Sequence, residues 1–203
     1  MALLCAILIL MYSIILHEVS HGAVAYLNGD PTAKATGRLT LNPVPHADVV
    51  GTVILPLVLV ITHAPFFIGW AKPVPFNPRY FRHRSFGVFT VALAGPLTNI
   101  ILAFLFCLAL QVAAWRPAAT VFVYGASLNA MLAVFNLIPI PPLDGSRILG
   151  VFLPKTVQRV FFSIERWGFL IIILLLSTGV LHQGILPVYQ WLLSVLFKAA
   201  GGF

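Results

Sequence analysis

The chain has 203 residues, of which 60% are apolar and only 8% charged, against roughly 25% charged in an ordinary soluble domain. That balance excludes a water-soluble globule and indicates a polytopic membrane protein built as a single domain over residues 1–203. The net charge of +7 is scattered through short loops between apolar runs, which is a topology signal, so no nucleic-acid partner is expected.

Apolar stretches run from Ala2 to Leu27, Val50 to Trp70, Phe86 to Ala114, Ala119 to Ile140, Val157 to Leu181 and Ile185 to Phe197. About 20 residues cross a bilayer, so the last run is expected to be too short and to lie at the interface. The pattern predicts an all-α polytopic membrane protein, a bundle of about four to six transmembrane segments. Between the runs, Asn28–Asp48, Lys72–Ser85 and Leu143–Arg159 carry Pro and Gly. They are expected to form ordered turns and short strands or extended loops. Cys5 and Cys107 sit inside apolar runs and define no disulfide framework. The apolar run continues well past Cys5, so the N-terminal segment reads as retained structure.

Within the first run lies His17-Glu18-Val19-Ser20-His21. Residues i and i+4 share one helix face, so both imidazoles reach one metal ion while Glu18 flanks it. The chain's composition gives ~0.004 accidental matches to this pattern. The competing reading is polar packing between helices, which is weak in a bilayer because an unpaired intramembrane Glu is costly. A catalytic zinc site takes three protein ligands and keeps a position for water, so a third ligand is required. The carboxylates outside this helix and its exit at Asp30 are Asp48, Asp144 and Glu165. Asp144 follows a span in the stretch Asn136-Leu-Ile-Pro139-Ile-Pro141-Pro142-Leu143-Asp144-Gly145. Its prolines end the helix and favour an extended segment that returns Asp144 to the bundle, with Gly145 as a permissive turn. The alternative is a Pro-rich helix exit with Asp144 capping the next helix.

These residues resemble the site-2 proteases, a family of intramembrane zinc metalloproteases. The resemblance rests on HEVSH within a span, on NLIPIPPLDG at the end of a later one, and on Ala94-Gly95-Pro96-Leu97-Thr98-Asn99 between them. LTLNPVPHADVVGT and GWAKPVPFNP further resemble a compact prokaryotic form without PDZ or CBS domains. The likeness covers about residues 10–150, within a catalytic core of about 1–150 followed by C-terminal apolar helices at 157–203. It implies a zinc-dependent intramembrane endopeptidase acting on transmembrane substrate proteins. It also implies His17, His21 and Asp144 as ligands of one Zn2+ and Glu18 as general base. Zinc would acidify a water whose proton Glu18 takes and later hands to the leaving amine. Asn136 is expected either to donate to the oxyanion or to bond between helices. The alternative function is a zinc-binding membrane transporter or sensor, which needs the ligands but no base.

Topology is an independent reading. Six strictly alternating crossings would divide the basic residues 9 to 3, whereas a re-entrant or interfacial Val50–Trp70 divides them 11 to 1, with only Arg116 outside, or 10 to 2 if the short last run leaves Lys198 outside as well. The second arrangement obeys the positive-inside rule better and brings His17, His21 and Asp144 to the cytoplasmic side of a prokaryotic cell membrane. The stretch Gly69–Phe76 is expected to be extended. It is read either as an edge that pairs with an unwound substrate through the Lys72 and Val74 amides, or as a rigid interfacial turn. His46 and Asp48 are expected to organise their loop, with a second metal as the alternative, while His63, His83 and His182 carry no assigned chemistry. Gly95, Ala92, Ala94 and Ala103 form a small-residue face for close helix packing, and Asn99 an interhelical hydrogen bond.

Overall fold

The computed structural model describes residues 2–62, 71–113 and 116–202. Helix α1 spans Ala2–Leu27 without interruption, because its run of Ala, Leu and Ile holds no breaker before Gly22. Its length of roughly 39 Å exceeds the hydrocarbon thickness of a bilayer. Ser13, His17 and His21 recur every four residues along its buried face, while Leu4, Ile7 and Leu8 point outward. The short helix α2 (Thr32–Ala35) follows. A wide-turned helical segment, Val49–Ile54, then runs into α3 (Leu55–Ile61). Together they rise less than about 20 Å, short of a crossing. Asn28, just past α1, accepts a hydrogen bond from the Arg82 amide at 3.1 Å. The chain therefore leaves and returns to the same end of the bundle between these residues, with no net crossing. The part of the expected re-entrant segment at residues 63–70, with His63, Pro65, Gly69 and Trp70, lies outside the described residues.

Helix α4 (Arg84–Gln111) buries Gly87, Val91, Ala92, Ala94, Gly95, Pro96, Asn99, Ala103 and Cys107. Removing side-chain bulk on this face lets it pack closely on both α1 and α5. Helix α5 (Arg116–Asn136) answers with Ala126, Ala130 and Ala133, all fully buried. It stops at Asn136, earlier than the apolar run at Ile140, because the residue before Pro139 is steered out of helical geometry. The chain then turns into α6 (Asp144–Phe152). Gly145 is not a left-handed turn: a Cβ there would collide with the Leu137 carbonyl and lie 2.6 Å from that of Ile138. Its role is to let α6 approach the end of α5.

The C-terminal part departs from expectation at its last helix. The run from Val157 is helical throughout, as α7 (Lys155–Ser163), a tighter-wound turn at Ile164–Trp167, and α8 (Gly168–Ser177). Helix α9 (Val180–Ala199) then has 20 residues, so it is not short. It starts after Gly179, at φ +74°, and absorbs the polar His182 and Gln183 that hid its beginning. Ile185 packs with Val134 near the end of α5, and Leu196 and Ala200 pack with Ala103, Cys107 and Ala126. Helix α9 is thus antiparallel to α5, and Lys198 lies at the same end as Arg116. This placement corresponds to the 10 to 2 division of the basic residues. Among the described residues, four helical segments are long and apolar enough to cross a membrane: Leu4–Leu27, Arg84–Gln111, Pro117–Asn136 and Lys155–Ser177. The chain is an all-α polytopic membrane protein. No strand occurs among the described residues, and residues 71–77 form an irregular strap instead of the expected short strand.

Candidate metal centre

One group of metal-ligating side chains converges among the described residues: His17 and His21 from α1 and Asp144 from the first turn of α6. His17 Nε2 and His21 Nε2 are 3.1 Å apart, and each is 3.2 Å from Asp144 Oδ2. Asp144 does not cap its helix through its side chain.

The protonation of the imidazoles follows from their other contacts. Asn129 Nδ2 donates to the Gly125 carbonyl and to Ser13 Oγ, both at 2.9 Å. A carbonyl only accepts, so this atom of Asn129 must be its NH2 and its oxygen must face Asn99. Asn99 Nδ2 donates to it at 3.0 Å, which turns Asn99 Oδ1 toward His17 Nδ1 at 2.6 Å. His17 therefore carries its proton on Nδ1. His21 Nδ1 likewise donates to the Val91 carbonyl at 2.6 Å. In the neutral rings both Nε2 atoms are bare lone pairs aimed at one point.

Asp144 Oδ2 is buried and has no hydrogen-bond donor. Burial pushes this carboxyl up, but N–H donation and positive charge at His17 and His21 pull it down further, to about 2, so it is ionised when a cation, a proton on Nε2 or a metal ion, sits between the three groups. Two lone pairs and an anionic oxygen facing one another repel, and a cation reconciles them. An ion at tetrahedral angles to this triangle would sit about 1.9–2.0 Å from each donor, against ~2.0–2.1 Å for zinc bonded to imidazole. The residues therefore fit a zinc ion. Gly95 supplies the room: a Cβ there would lie 2.5 Å from His21 Nε2 and 2.6 Å from His17 Nε2.

Glu18 lies beside the triangle on α1, and its Oε2 accepts the Val74 amide at 2.9 Å. The strap is also held by Lys72 N–H on the His46 carbonyl at 2.8 Å. The amides of Lys72 and Val74 are thus engaged within the chain, which removes the donors that the expected pairing with substrate needed. Asn136 Nδ2 donates to the Leu132 carbonyl, one turn back on its own helix, at 2.9 Å, and it is not among the three converging residues. Asp48 accepts the Val50 and Gly51 amides, and His46 Nε2 bonds the Thr40 carbonyl at 2.9 Å. Among the described residues, neither belongs to a metal-ligating group.

Sequence reasoning missed Ser13, Asn129 and the hold of Val74 on Glu18. Ser13 had a signal, since it stands one turn before His17 on the same face, and Asn129 another, as a polar group deep in a span. Val74 had none, because its contact joins a distant irregular segment to α1.

The model of peptidase family M50 matches residues 109–178. The chain is 40% identical over 182 residues to "Putative zinc metalloprotease YwhC" of Bacillus subtilis, covering 85% of this chain and 80% of that one. It is 33% identical over 201 residues to "Putative zinc metalloprotease Rip2" of Mycolicibacterium smegmatis, covering 95% and 76%. No solved structure matches it. Likeness of this extent, on a membrane bundle with a three-donor metal centre, means that the chain belongs to peptidase family M50, the site-2 proteases.

Proposed function

We propose that this protein is a zinc-dependent intramembrane endopeptidase that hydrolyses peptide bonds within or next to the transmembrane helices of substrate proteins. His17, His21 and Asp144 hold one zinc ion per chain, and Glu18 is the general base. The observation that carries the reading is the triangle of two bare imidazole nitrogens and one donorless carboxylate oxygen. Zinc, when bound, supplies the Lewis acidity that polarises a peptide carbonyl and acidifies a water.

The remaining work belongs to the protein. Asn99 and the Val91 carbonyl keep both imidazoles in the ligating tautomer. The Val74 amide on Oε2 orients the Glu18 carboxylate and leaves Oε1 to take the proton of the attacking water. As the water oxygen bonds to the carbonyl carbon, that proton passes to the amide nitrogen and the C–N bond breaks. Donation to the oxyanion by Asn136 would require its amide to leave the Leu132 carbonyl. The 10 to 2 division of basic residues supports a cytoplasmic position for the end of the bundle that carries the site. The packing of α9 into the α4–α5 core supports one domain over residues 1–203.

The test is incubation of the zinc-loaded protein and its Glu18→Gln variant with single-span substrates, with cuts located by mass spectrometry. Cleavage in or beside the span by the parent alone, with zinc bound by both, is expected. Zinc bound by both and cleavage by neither would favour transport or sensing.

A further inference from the structure

Arg38 is 7% exposed, yet among the described residues it faces no carboxylate. Its Nη2 instead donates to two backbone carbonyls of the strap, Lys72 at 2.8 Å and Pro73 at 3.0 Å. The Pro73 carbonyl and the Val74 amide belong to one peptide unit, which is planar and carries its C=O and N–H on opposite sides. Fixing the oxygen on Arg38 therefore aims the N–H the other way, and what it meets is Glu18 Oε2 at 2.9 Å. Val74 is itself buried, and Pro73 and Pro75 restrict the backbone on either side of it.

We propose that Arg38 is a positioning residue for Glu18, acting through the Pro73–Val74 peptide plane. The inference rests on the reading of Glu18 as general base. The cation on one end of the plane also polarises the amide at the other, which strengthens its bond to the carboxylate. Without Arg38 the plane is free to rotate and Glu18 loses its fixed orientation, while the zinc ligands, carried by α1 and α6, keep theirs.

The experiment compares Arg38→Met and Arg38→Lys with the parent as zinc-loaded, purified proteins. Zinc content, kcat and KM on a single-span substrate, and hydrogen exchange across residues 71–77 are measured. In Arg38→Met, zinc content and KM should hold while kcat falls by about 10–100-fold, the range for groups that orient a metal site, and the Val74 amide should lose protection. Arg38→Lys should recover most of both, because a single nitrogen serves the two carbonyls. If Arg38→Met does not accumulate in membranes, Arg38→Gln takes its place. Parental kcat, unchanged Val74 exchange, loss of zinc in step with kcat, or a change in KM alone would each overturn the proposal. If the parent cleaves nothing, the protease reading fails by itself, and Val74 exchange still decides whether Arg38 aims this amide: loss of protection supports it, parental protection refutes it.

Discussion

Adding one methyl group at Gly95 tests the metal centre without touching a ligand. A Cβ at this position would lie 2.5 Å from His21 Nε2 and 2.6 Å from His17 Nε2, where an ordinary contact is roughly 3.5 Å. The overlap of about 0.9 Å has no cheap relief. Moving α4 away drags the Val91 carbonyl and Asn99 with it, and these hold the two imidazoles through bonds of 2.6 Å. Moving the rings instead displaces both Nε2 atoms by several times the ±0.2 Å or so that a zinc site tolerates. Gly95→Ala should therefore weaken zinc binding by about 100-fold or more, at or beyond the upper end for disturbed ligand support. The protein should still fold, because overpacking costs ~1–3 kcal/mol and replacing a helical glycine returns up to ~1 kcal/mol. Competition with a chromophoric zinc chelator reads the affinity, and circular dichroism reads the helix content. A folded Gly95→Ala protein with parental zinc affinity would refute the position assigned to the imidazoles.

Two further substitutions probe the same centre from other sides. Asn129→Leu removes the acceptor that orients Asn99, so His17 loses its enforced tautomer and zinc affinity should fall by about 10-fold; the same chelator competition checks this, and parental affinity would break the inferred relay. Asp144→Asn should lower zinc affinity at pH 8 by about 10–100-fold as the charge is lost, an order taken from weakened metal sites; the same competition reads it, and parental affinity would remove Asp144 from the ligand set.

Local physics explains which parts of the fold were legible. Helix α1 coincides with its apolar run, Ala2–Leu27, because nothing inside it competes with helix. The end of α5 was legible in Pro139, although hydropathy alone carried the span to Ile140. The run from Val157 was legible as a span, since Lys155–Ser177 is long and apolar enough to cross. Hydropathy failed at α9, whose first turns carry His182, Gln183 and Gly184. The pairing of His17 with His21 could be read because four residues make one helical turn. The relay behind His17 could not, since Asn99 and Asn129 are 30 positions apart and Asn129 and Ser13 are 116 apart.

The fate of the five acidic side chains isolates Asp144 on physical grounds. Glu18 accepts the Val74 amide. Asp30, fully buried, accepts the Thr32 and Asn77 amides. Asp48 accepts the Val50 and Gly51 amides at the start of its helical segment, and Glu165 pairs with Arg147 at 3.0 Å. Each of these four carboxylates has a proton donor that offsets the cost of removing it from water. Asp144 turns a buried oxygen toward two imidazole nitrogens whose protons are committed elsewhere, to Asn99 and to the Val91 carbonyl. Between neutral rings, supplying a donor from the protein would require reversing one of them, which breaks one of those buried bonds and leaves another polar group unpaired. A cation satisfies all three groups without disturbing either bond, so the second set of contacts, more than the spacing of the histidines, fits this cluster to a metal ion.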